Sequence, residues 1–139
     1  MSENAAETFL VHIVDDDESI RRALSRLVST GGFDSRSHAS AEAFLDAFDP
    51  DVSGCAILDM YLPRLNGFEL QARIAEILPA FPVIFLTGRG DIGMGVKAMK
   101  DGAFDFLTKP VKPDALLTAI AEARTRVGET QADSHGSAR

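Results

Sequence analysis

Apolar residues gather in five short runs along the chain, at 9–14, 33–37, 54–58, 82–86 and 103–107, and polar, helix-patterned segments separate them. The first, third and fourth runs are nearly continuous in Val, Ile, Leu and Phe. Strands of that composition are covered on both faces, as in a parallel sheet. Between the runs the apolar period becomes that of a helix. Ile20, Leu24, Leu27 and Val28 recur at helical spacing and stop at Gly31-Gly32, where a left-handed ending is expected. Ser40 caps a second helix carrying Phe44, Leu45 and Phe48. Asn66-Gly-Phe-Glu69 reads as a capping box opening a third, with Leu70, Ile74, Ile77 and Leu78 on one stripe before Pro79. A fourth is expected from near Asp91 to Gly102, and a fifth with Pro113 in its first turn and Leu116, Ile120 and Val127 along it.

Repeated strand–helix alternation with short connections implies right-handed crossovers. The expected fold is α/β, a flavodoxin-like doubly wound parallel sheet of five strands in the order 2-1-3-4-5, with five helices. Residues 1–8 are expected to be a polar N-terminal extension, 9–127 one domain, and 128–139, polar and without periodicity, a disordered tail. A chain of 139 residues has room for one ordinary domain.

Composition narrows the classes. With 45% hydrophobic and 25% charged residues the chain is that of a soluble globular protein. A net charge of −7 argues against direct nucleic-acid binding, which needs clustered Lys and Arg. No stretch approaches the length of a membrane span, and the N-terminus is acidic where a secretory signal would be basic, so the reading is cytoplasmic. Cys55, alone inside an apolar run, reads as a buried structural thiol.

In a doubly wound sheet ligands bind beyond the carboxyl ends of the strands, near the reversal of strand order. The first expected strand ends in Asp15-Asp16-Asp17-Glu18, the third in Asp59, the fourth in Thr87 and the fifth in Thr108-Lys109-Pro110. Acids at 15–18 alone would suit a solvated helix start, complementing its dipole. Asp59, closing a buried run with no capping duty, favours a site instead. Asp15, Asp16 and Asp59 converging would repel one another unless a hard cation such as Mg²⁺ (or Mn²⁺) neutralised them. Lys109 and Thr87 would then meet the anion that such a cation and Asp59 accept, which is what phosphoryl transfer to a carboxylate requires.

A competing motif lies at Gly88-x-Gly90-x-x-Gly93, which has the spacing of a dinucleotide fingerprint after a strand. Its context opposes that reading: only about fifty residues follow, and Thr108-Lys109 rather than an acid ends the next strand. Gly93 and Gly95 instead fall inside the fourth expected helix, each costing roughly 1 kcal/mol relative to Ala, which makes that helix the least stable and the readiest to move. Arg89-Gly90-Asp91 spells an integrin-binding tripeptide, read here as chance.

Val11-His-Ile-Val-Asp-Asp-Asp17, Ser40-Ala-Glu-Ala-Phe-Leu45, Leu58-Asp-Met-Tyr-Leu-Pro63 with Asn66-Gly67, Thr87-Gly-Arg-Gly-Asp91 and the stretch from Ala98 to Pro110 closely resemble the receiver domain of two-component response regulators, particularly the FixJ-like group. The resemblance implies that Asp59 accepts a phosphoryl group from a sensor histidine kinase. It implies Mg²⁺ held by Asp16, Asp59 and the backbone carbonyl of Tyr61, with Asp15 acting through water. Thr87 and Lys109 would hold the phosphoryl oxygens, and Thr87 with Phe106 would form the switch. A cis Lys109–Pro110 bond is also implied. Tyr61 and Arg89 occupy positions bordering the path of attacking water, where a bulky Tyr61 would slow hydrolysis. The chain would be no enzyme beyond its own phosphorylation and slow dephosphorylation. Its partners would be the kinase and a downstream protein or effector domain not in this chain, with Lys97, Asp101, Asp105 and Arg124 offering opposite charges for a homodimer. The alternatives are a stand-alone phosphorelay intermediate and a phosphohydrolase with Asp59 as nucleophile. The second is disfavoured because Tyr61 stands where such enzymes place an acid.

Overall fold

The computed structural model describes residues 8–88 and 92–137. Among them five strands alternate with five helices: β1 (Leu10–Val14), α1 (Glu18–Thr30), β2 (Asp34–His38), α2 (Ala41–Ala47), β3 (Gly54–Asp59), α3 (Gly67–Ile77), β4 (Val83–Thr87), α4 (Ile92–Lys100), β5 (Asp105–Thr108) and α5 (Pro113–Ser137). The sheet runs β2-β1-β3-β4-β5 and every neighbouring pair is parallel, as expected. Strand order reverses between β1 and β3, the pair at its centre.

Both faces of the sheet are covered, which is why its strands are apolar without alternation. Val11, Ile13, Cys55, Ile57, Ile84 and Leu86 pack against Leu24 and Val28 of α1 and Leu116 and Ile120 of α5. Val14, Ala56, Leu58, Val83 and Phe85 pack against Phe44 of α2, Leu70 and Ile74 of α3 and Ala98 of α4. The edge strands depart from this, β2 most strongly. Asp34, Arg36 and Ser37 are exposed and only His38 is buried, a charged rim of the kind that discourages pairing with another chain. Cys55 is fully buried, and desolvation pushes its thiol up to about 12, leaving it unreactive near neutral pH.

Local chemistry sets the helix ends. The Asp17 side chain caps α1 by accepting from the N–H groups of Ser19 and Ile20, Ser40 caps α2 through the Ala43 N–H, and Asn66 and Glu69 close the expected capping box on α3. After α1 the chain turns through Gly32 at φ +83°, the left-handed conformation anticipated there. The expected start of α4 at Asp91 lies outside the described residues, as do Arg89, Gly90 and residues 1–7.

The tail reading is corrected at the other terminus. α5 does not stop at Val127 but continues through residues 128–137. Its apolar stripe ends where expected, yet Glu129, Gln131 and Ala132 are good helix formers and no proline intervenes. A helix already docked through Leu116, Ile120 and Ala123 has passed its nucleation barrier and propagates at little further cost. Polarity marked the end of the core-facing stripe, not the end of the helix.

One buried pair escaped the sequence reading. His12 on β1 and His38 on β2 stack with centroids 5.2 Å apart, Nδ1 of the first 3.0 Å from Nε2 of the second. Phe44 meets both rings edge-on, and Phe48 does the same to His12. The backbone carbonyl of His38 in turn accepts from the Asp15 N–H at 3.2 Å, tying this pair to the end of β1.

Candidate functional site

The parallel register brings the carboxyl ends of β1, β3, β4 and β5 to one rim, where Asp15, Asp16, Asp59, Thr87 and Lys109 lie, while Phe106 sits within β5 and faces α4. Asp15 follows β1 directly and is 1% exposed, Asp59 is the last residue of β3, Thr87 the last of β4, and Lys109 follows β5. One carboxylate oxygen from each of Asp15, Asp16 and Asp59 lies within 4.8 Å of the other two. Lys109 Nζ is 3.7 Å from Asp59 Oδ1, and its backbone N–H donates to the Thr87 carbonyl at 2.7 Å. The last contact locks the β4 and β5 ends together, so the hydroxyl and the ammonium are delivered as a unit. The Lys109–Pro110 bond is cis.

The third aspartate of the triplet has a different task. Asp17 Oδ1 accepts from the N–H and hydroxyl of Ser19 and from the Ile20 N–H, and these bonds hold its carboxyl below the usual range. It is spent on the α1 cap, which separates it from Asp15 and Asp16.

Two buried polar atoms carry the chemical argument. Asp15 Oδ1 accepts from the Asp17 N–H at 2.9 Å, but its Oδ2 has no hydrogen-bond partner among the described residues, and neither has Thr87 Oγ1. A buried acceptor or hydroxyl left unpaired is expensive, by about 1–3 kcal/mol each. Both orphans sit at the rim that the acids and Lys109 share. Burial raises the Asp15 carboxyl, opposed by the Asp17 N–H and raised further by the Asp59 and Asp16 charges. A hard divalent cation would relieve that repulsion and satisfy the free oxygen, and an all-carboxylate donor set with room for water fits Mg²⁺. An anion at Lys109 would supply the acceptor that the Thr87 hydroxyl lacks.

Tyr61 donates its backbone N–H to Asp59 Oδ1 at 3.2 Å, while its ring is 56% exposed. Phe106, half-buried on β5, packs on α4 at Gly95 so closely that a Cβ there would lie 2.4 Å from the ring. Gly93, which the sequence treats alike, faces open space. Sequence patterning had no means to separate them, because the ring that distinguishes Gly95 arrives from another element.

A family model described as the response regulator receiver domain matches residues 11–121. Among curated proteins, the chain is 44% identical over 114 residues to the response regulator protein TmoT of Ectopseudomonas mendocina, covering 82% of this chain and 52% of that protein. It is 40% identical over 126 residues to the transcriptional regulatory protein FixJ of Rhizobium meliloti, covering 90% and 61%. The chain thus spans only about half to three fifths of these relatives. A crystal structure of FixJ-N superposes with a TM-score of 0.77 at 42% identity, over 84% of this chain and 94% of that one. A receiver domain protein from Clostridium thermocellum gives 0.84 at 31% identity, over 88% and 98%.

Proposed function

Since the chain belongs to the response regulator receiver domain family, a family of signalling proteins in two-component systems, we propose that Asp59 is its phosphoryl acceptor and that Asp15, Asp16, Asp59 and the Tyr61 carbonyl hold Mg²⁺. The observation that carries this reading is the pair of buried, unpartnered atoms, Asp15 Oδ2 and Thr87 Oγ1, flanking the Asp59–Lys109 contact. Bound Mg²⁺ would neutralise charge on the acids and on the phosphoryl oxygens. The protein's own groups do the rest. A carboxylate oxygen of Asp59 attacks phosphorus, the bond from phosphorus to the donor's nitrogen breaks, and that nitrogen keeps the electron pair and takes a proton. Lys109 and Thr87 bind the equatorial oxygens as their charge develops. The donor is a phosphohistidine on a sensor kinase, and the receiver of the signal is a downstream protein or effector domain. No described helix is long and apolar enough to cross a membrane.

Incubating the protein with Mg²⁺ and a small phosphodonor should add one phosphoryl group to the intact mass, and Asp59→Asn should add none. Uptake by Asp59→Asn would refute the assignment. Continuous release of phosphate from the wild type over many turnovers would favour a phosphohydrolase instead.

The same reading makes Thr87 and Phe106 the coupling pair, supported by the packing of Phe106 against Gly95. On phosphorylation Thr87 is drawn to the new oxygens and Phe106 moves with it against Gly95, biasing α4 between two positions. Gly95→Ala removes the space that the ring occupies, so the ring must rotate or α4 must lift. The variant should show a displaced Phe106 ring signal by NMR before any phosphodonor is added. A Phe106 signal unchanged from wild type would refute the coupling.

A further inference from the structure

From α1, one side chain reaches back over the acidic loop. Arg21 Nη1 donates to the Asp15 carbonyl oxygen at 2.7 Å, and that carbonyl belongs to the peptide joining Asp15 to Asp16. Arg21 is half-buried, and its backbone N–H is fixed to the Asp17 carbonyl at 3.0 Å. Its neighbour Arg22 behaves differently, pairing with Glu18 on the open surface. The loop is otherwise anchored through the Asp15 N–H to His38, the Asp17 N–H to Asp15 Oδ1 and the Asp17 cap on α1, none of which engages the Asp15 carbonyl. Arg21 restrains that carbonyl, and so the direction in which Asp16 leaves the peptide.

We propose that Arg21 is a positioning residue for the divalent-cation site, holding the Asp15–Asp16 peptide plane so that both carboxylates converge on Asp59. This rests on the cation reading above. The electrostatics make the idea decidable. A guanidinium beside a cation site is repulsive toward the cation, so by charge alone its removal should tighten binding. If Arg21 acts through geometry, removal should weaken binding, as loss of a partner that orients metal ligands does. Lysine keeps the charge but not the planar fork.

The chain has one tyrosine and no tryptophan, and the Tyr61 N–H is bonded to Asp59, so intrinsic fluorescence reports on this site alone. Titrating the full chain with Mg²⁺ should show Arg21→Met raising the Kd roughly 10-fold or more. Phosphoryl uptake from a small donor should fall at low Mg²⁺ and recover at saturation. An unchanged or lower Kd overturns the proposal, whatever the thermal midpoint does. Should Arg21→Met fail to fold, Arg21→Lys serves, because charge alone then predicts no change and an unaltered Kd is equally fatal. A wild type without a Mg²⁺ response, or one whose response survives Asp16→Asn, would sink the cation reading itself.

Discussion

Lowering the pH from 7 toward 4 should destabilise the folded protein by about 3 kcal/mol or more through the buried histidine pair taken together. Desolvation holds His12 down to about 4, helped by the neighbouring His38 and Arg36, and desolvation with Arg36 does the same to His38. In the unfolded chain both titrate at the ordinary 6.5. Above 6.5 neither state binds these protons and stability is flat. Between 6.5 and 4 the unfolded chain takes up protons that the folded chain refuses, so stability is lost as pH falls. Below 4 the loss levels off. Geometry adds to this, because the 3.0 Å nitrogen–nitrogen contact can share one proton and a second would break it. Asp15 works in the opposite direction, since its raised carboxyl favours folding as it protonates. Denaturant unfolding at pH 7, 5 and 4 measures the net effect, and His12→Phe combined with His38→Leu should flatten the slope. A wild-type curve already flat across that interval would show that the pair does not control acid stability.

The second large effect is steric. A Cβ on Gly54 would lie 2.0 Å from the Leu10 carbonyl oxygen and 3.0 Å from its carbon. Leu10 is the in-register partner of Gly54 in the β1–β3 pair, and its N–H donates to the Ser53 carbonyl at 2.9 Å. The Cβ position is fixed by the backbone and the atoms it meets are backbone, so no rotamer change can relieve the collision, and β1 must part from β3. Gly54→Ala should therefore cost about 3 kcal/mol or more, the upper end of what overpacking does, and should disturb the alignment of Asp15 with Asp59. Gly93→Ala, in open space on α4, is the matched control and should be neutral or gain about 1 kcal/mol from helix propensity. Equal midpoints for the two variants in chemical denaturation would contradict the account.

The acceptor rim was readable from sequence because the fold delivers it by topology alone. Five apolar runs with helices between them imply one parallel sheet, and parallel strands send Asp15, Asp59, Thr87 and Lys109 to the same edge. Asp17, Arg21, Gly95 and the His12–His38 pair were not readable in that way. Each acquires its role from an atom on another element or turn: Asp17 from the N–H groups of α1, Arg21 from a loop carbonyl, Gly95 from the Phe106 ring, and His12 from a neighbouring strand. The end of α5 belongs with them, since docking sustains the helix past the residues that show its periodicity.

Hydrophobic periodicity and residue type by themselves determined the α/β architecture, the caps and the set of residues at the strand ends, because those properties depend on spacing within a single segment. Tertiary structure alone decided which glycine is filled and which polar atoms lack partners. Those outcomes depend on distances of a few ångströms between segments far apart in the chain, and no local pattern encodes such distances.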